Sequence, residues 1–80
     1  MVYHYCNITL DTYINKGISE IQLFEYVNTD ISNLEKLVNI TYNVMERNKV
    51  QSTKEDIKKA MVDLIMDRYF YVLDLPKVSS

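Results

Sequence analysis

Only one glycine and one proline, Gly17 and Pro76, interrupt the eighty residues of this chain. A multi-stranded sheet needs turn residues at short intervals, whereas long helices need almost none. The scarcity steers the chain toward helices joined by a few short connections. With 48% apolar and 25% charged residues, the composition is that of a globular protein and argues against wholesale disorder. Eighty residues make a single domain, 1–80, with a thin stability margin, because so short a chain buries only about 60% of the surface its unfolded form exposes.

Helix starts can be placed from the capping chemistry. In Ser19-Glu20-Ile21-Gln22 a hydroxyl and an amide stand three residues apart, the reciprocal arrangement that satisfies two free N–H groups at a helix start. Ile18 and Leu23 occupy the matching staple positions. Ser32-Asn33-Leu34-Glu35 repeats the box, and Ser52 with Glu55, or Thr53 with Asp56, supplies a third. Apolar residues then recur at helical spacing. Ile21, Phe24 and Val27 form the inner face of one helix, with Leu23 and Tyr26 beside them. Leu34, Leu37, Val38, Thr41 and Met45 form that of the next. Ile57, Ala60, Met61, Leu64 and Ile65 form that of the last. The two longer segments are joined by a short connection, so they are expected to run roughly antiparallel.

The opening run reads differently. Val2 to Ile8 is rich in strand-favouring side chains, and its alternation puts Val2, His4 and Cys6 on one side and Tyr3, Tyr5 and Asn7 on the other. It is expected to be an extended arm. Thr9 would then cap a short helix, Leu10 to Lys16, that stops at Gly17. The expected fold is all-α: three principal helices, roughly 20–29, 33–48 and 54–71, a short helix near 10–16 and the N-terminal arm. Residues 76–80, with Pro76, Ser79 and Ser80, form a loose tail. In the alternative, an α+β fold, Tyr69 to Leu73 leaves the last helix and pairs with Val2 to Ile8 as a two-stranded ribbon.

The last helix carries more apolar surface than one small core can cover. Beyond its inner face stand Val62, Met66, Tyr69, Phe70, Tyr71, Val72 and Leu73. Three consecutive rings cannot all point the same way, because neighbours in a helix diverge. Val62, Met66, Tyr69, Phe70, Tyr71 and Leu73 are therefore the candidate protein interface. The expected partner is a second copy, with a dimer favoured, or another protein.

Chemistry is hard to find. His4 and Cys6 are the only histidine and the only cysteine, too few for a typical zinc site, and both are expected to pack at the edge of the core. Asp63 and Asp67, with Glu46 on the neighbouring helix, lack the Glu-x-x-His or His-Glu-x-x-His spacing of di-iron and zinc-hydrolase helices. They read as a solvated flank, with Asp63 placed to pair with Lys59. A single glycine rules out glycine-rich phosphate loops. No catalytic, cofactor or metal residue is assigned.

Charge offers a rival reading. Residues 1–48 hold three basic and six acidic side chains (3 − 6 = −3), and residues 49–80 hold six basic and five acidic (6 − 5 = +1). Arg47, Lys49, Lys54, Lys58 and Lys59 gather around the turn before the last helix and are the candidate nucleic-acid contacts of a small transcriptional regulator. The net charge of −2 and the early Glu55 and Asp56 oppose that reading. One cysteine and no recognisable signal peptide lead to a cytoplasmic expectation, and no apolar run is long enough to span a membrane. Two glycosylation-type triplets, at Asn7 and Asn39, are read as chance. The expected function is that of a non-enzymatic, self-associating helical interaction module with an accessory, inhibitory or regulatory role.

Overall fold

A computed structural model of the protein describes residues 1–73. Four helices follow one another: α1 (Val2–Asn15), α2 (Glu20–Thr29), α3 (Ile31–Arg47) and α4 (Lys54–Leu73). The architecture is an all-α bundle, and no strand occurs among the described residues. The loose tail expected over 76–80 lies outside them.

The N-terminal arm is the largest correction. Val2 to Ile8 is helical and continuous with the segment expected to start at Leu10. Its spacing explains why. Cys6, Thr9 and Leu10 are buried, and Val2 and Tyr13 pack against the core, so the inward positions recur every three or four residues. Burial of that stripe outweighs the modest strand preference of valine and tyrosine. Thr9 is therefore no cap; it sits in mid-helix. The ribbon alternative falls with it, since both of its segments are helical through Leu73.

The other boundaries follow local hydrogen bonding. Ser19 forms the full reciprocal box: its hydroxyl accepts the Gln22 N–H at 3.2 Å, and its own N–H donates to the Gln22 side chain at 2.9 Å. α3 starts two residues earlier than expected. Asp30, not Ser32, is its cap, accepting the Ser32 N–H at 3.0 Å, and this one extended residue separates α2 from α3. Those bonds hold the Asp30 carboxyl below its usual range. At α4, Thr53 accepts the Asp56 N–H at 3.1 Å.

Two helices end in the same six-residue motif. After α1, Gly17 takes a φ of 103°, and the N–H groups of Gly17 and Ile18 return to the Ile14 and Tyr13 carbonyls. After α3, Lys49 takes a φ of 59°, and Lys49 and Val50 return to Glu46 and Met45. A glycine usually fills that left-handed position. Lysine holds it here.

α3 and α4 each touch all three other helices, and α4 makes the most extensive contact with them. The start of α3 (Ile31, Leu34) lies beside Ile65 and Met66, whereas its end (Tyr42, Glu46) lies beside Thr53 and Asp56, so α3 and α4 run antiparallel as expected. α1 crosses α4 in the same general direction: Val2 near its start borders Thr53 and Asp56, and Asp11 near its end meets Arg68. Every inward residue expected on α3 is buried, as are Ile57, Ala60, Met61 and Ile65 on α4. On α2 the deepest residue is Leu23, with Phe24 and Val27 only partly covered.

Candidate interaction surface

The apolar groups of α4 divide between two destinations. Ile57, Ala60, Met61 and Ile65 fill the core, while Val62 and Met66 remain exposed on the outer side. Next to them, α2 and the start of α3 diverge and leave a groove of about 290 Å³, walled by Phe24, Val27, Ile31, Leu34, Ile65 and the two outer residues. Ile31, the first residue of α3, is 58% exposed at its rim. On the other flank of Val62 and Met66 stands Tyr3 of α1, whose hydroxyl donates to Asp63 Oδ2 at 3.2 Å. That bond to a carboxylate is the main reason the Tyr3 hydroxyl titrates above its ordinary value. Tyr3, Val62, Met66 and Ile31 thus bring three helices to one exposed apolar surface.

The six residues expected to form an interface do not stay together. Val62 and Met66 share this surface. Tyr69 is half-buried and stacks on Phe24, with ring centroids 3.9 Å apart and planes inclined by 14°. Phe70 meets Tyr69 edge-on at 5.8 Å. The Tyr69–Phe24 stack ties α2 to α4. Tyr71 is 86% exposed but lies about half a turn from Val62, toward Glu20. Leu73 is the last described residue and is also exposed.

Tyr3 and Ile31 were not singled out by sequence reading. Ile31 carried a signal, being an apolar residue just before an expected cap. Tyr3 carried none while its segment was read as an arm. Arg68 was missed as well: it donates to Asp11 and Asn7, each at 2.9 Å, and clamps α1 to α4.

The five basic residues are spread over three places. Arg47 closes α3, its Nε reaching the Asn43 carbonyl at 3.5 Å, and Lys49 forms the left-handed stop. Lys54 lies over the Tyr42 ring at 5.1 Å and shares a depression with Lys58, Glu35 and Glu55. Lys59 faces the other flank, with Tyr3 and Asp63. Acidic side chains interleave with the lysines throughout.

His4 and Cys6 part company on a helix. His4 is exposed and meets the Tyr5 ring edge-on, whereas Cys6 is fully enclosed, its thiol donating to the Ile57 carbonyl at 3.8 Å. Burial pushes that thiol up to about 11, so it stays protonated and inert at neutral pH. Asp63 is bonded to Tyr3, while Glu46 borders a separate depression with Val2 and Asp56, so the three carboxylates considered as a set do not converge. Among the described residues no group of three metal-type ligands gathers, and no helix is long and apolar enough to cross a membrane. Comparison with protein-family models, curated proteins and solved structures finds no match for this chain.

Proposed function

We propose that this small all-α domain is a non-enzymatic interaction module that self-associates through the outer face of α4, in an accessory, inhibitory or regulatory role. The observation that carries this reading is the joint exposure of Val62 and Met66 with Ile31 at the rim of an apolar groove on one flank and Tyr3 on the other. Single exposed apolar residues are ordinary; a contiguous set drawn from three helices beside a groove marks a place where another surface gains by excluding water. A tyrosine at the edge suits it, since the ring is covered while the hydroxyl keeps its partner.

The nucleic-acid reading has less support. Glu35 and Glu55 border the same depression as Lys54 and Lys58, and would oppose a phosphate backbone there. The deciding measurement is sedimentation velocity over a concentration series. The mass is expected to rise from that of a 9.5 kDa chain toward twice that value. Met66→Glu should hold the chain as a monomer while leaving its helical content unchanged. A monomer at every concentration overturns self-association. Salt-dependent binding to duplex DNA, lost on neutralising Lys54, Lys58 and Lys59, would favour the rival.

A further inference from the structure

Lys59 and Asp63 stand one turn apart on the flank of α4 that borders α1, beside Val62 and Tyr3. Successive residues of a helix are separated by about 100° and 1.5 Å. The two charges therefore lie within about 40° of each other and about 6 Å apart along the axis. Glu55, one turn earlier, continues the alternation, and Lys58 brings the charged groups around this depression to two of each sign. Such a rim is neutral and offers no net attraction to a strongly acidic or basic partner. It complements itself.

We infer that two copies of the chain pack α4 against α4 in antiparallel orientation, about a two-fold axis that crosses the outer face beside Val62, with Lys59 of each copy paired to Asp63 of the other. This rests on the self-association proposed above and specifies its geometry. In an isologous contact the same patch serves both sides, so residue i meets j and j meets i. Reversing one helix through a point midway between positions 59 and 63 brings each lysine opposite the other copy's aspartate. It also sets Val62 within about 1.5 Å of the axis along the helix, so the apolar centre faces its own copy. An axis between Glu55 and Lys59 would satisfy charge equally well but would displace Val62 and Met66 from the middle. Apolar position and charge together select the first axis. The bond from Tyr3 holds the Asp63 carboxylate in place for the second lysine.

Charge reversal with rescue tests this, read by sedimentation equilibrium alongside circular dichroism. Lys59→Asp and Asp63→Lys are each expected to weaken dimerisation by about tenfold or more, because symmetry replaces two attractions with two repulsions. The double variant Lys59→Asp/Asp63→Lys restores it to within a few-fold, and all three keep wild-type helicity. Val62→Cys supplies an independent check: mild oxidation should yield a covalent dimer, with Cys6 enclosed, whereas Tyr71→Cys should not. A wild-type dimer that ignores the single reversals, or is not rescued by the double, overturns this geometry and leaves self-association standing. A wild-type chain that stays monomeric overturns both.

Discussion

The hydroxyls of Thr9 and Thr41 meet 2.7 Å apart at the buried contact between α1 and α3. Thr41 also lies 2.9 Å from the Leu37 carbonyl, and Thr9 lies 3.3 Å from that of Tyr5. Using each proton once at short distance, Thr41 donates to Leu37 and Thr9 donates to Thr41. Thr41→Val removes the acceptor and leaves Thr9 only the longer bond, at an expected cost of about 1 kcal/mol. Thr9→Val should cost less, because Thr41 keeps its bond to Leu37. The double valine variant should lie closer to wild type than the sum of the singles, a coupling that urea denaturation of all four proteins measures.

Cys6 gives the fold a dependence on alkaline pH. Its thiol titrates at about 11 in the folded protein against 9.0 when exposed, because burial disfavours the thiolate. The folded state holds the proton more tightly, so this contribution is complete below pH 9.0 and is lost as pH rises toward 11. The urea midpoint should fall across that interval, and fall less in Cys6→Ala. The native thiol should also resist a disulfide reagent that labels it promptly in denaturant.

The two left-handed helix stops make opposite predictions. Lys49 occupies a position that disfavours any residue with a Cβ, so Lys49→Gly should stabilise the protein by about 0.5–1 kcal/mol. Gly17→Ala should destabilise it by about 1 kcal/mol through backbone conformation alone, because nothing lies within 4 Å of an added Cβ. Thermal unfolding of the two variants resolves the difference in sign.

Tyr69 and Tyr71 should behave as different kinds of tyrosine. Tyr69→Leu loses the stack on Phe24, worth about 0.5–1.5 kcal/mol beyond the area covered. Tyr71→Ser changes an exposed ring and should stay within about 0.5 kcal/mol of wild type. Denaturant midpoints of the two proteins check this directly.

The legible parts of the fold were those with local causes. The box at Ser19, the stop at Gly17 and the inner faces of α3 and α4 were all readable, because each depends on residues within one or two turns. The start of α3 was misplaced by two residues because Asp30 and Ser32 are both competent caps and the chain used the earlier one. α1 failed for a different reason. In Val2 to Ile8 the same residues satisfy a period of two and a period near 3.6, and only contact with α3 and α4 chooses between them.

The candidate surface was half legible for the same reason. Val62 and Met66 could be found as apolar positions off the inner face of α4. Their assembly with Tyr3 and Ile31 needed α1 and α3 in place, and the separation of Tyr69 from Tyr71 needed Phe24 to arrive from α2. By itself, the sequence determined that the chain would be helical, where most helices would begin and which faces of α3 and α4 would turn inward, since hydrogen bonding and periodicity act over a few residues. Tertiary packing decided that Val2–Asn15 is one helix, which rings tie the bundle together and which apolar groups remain outside, because those outcomes depend on surfaces brought together from distant parts of the chain.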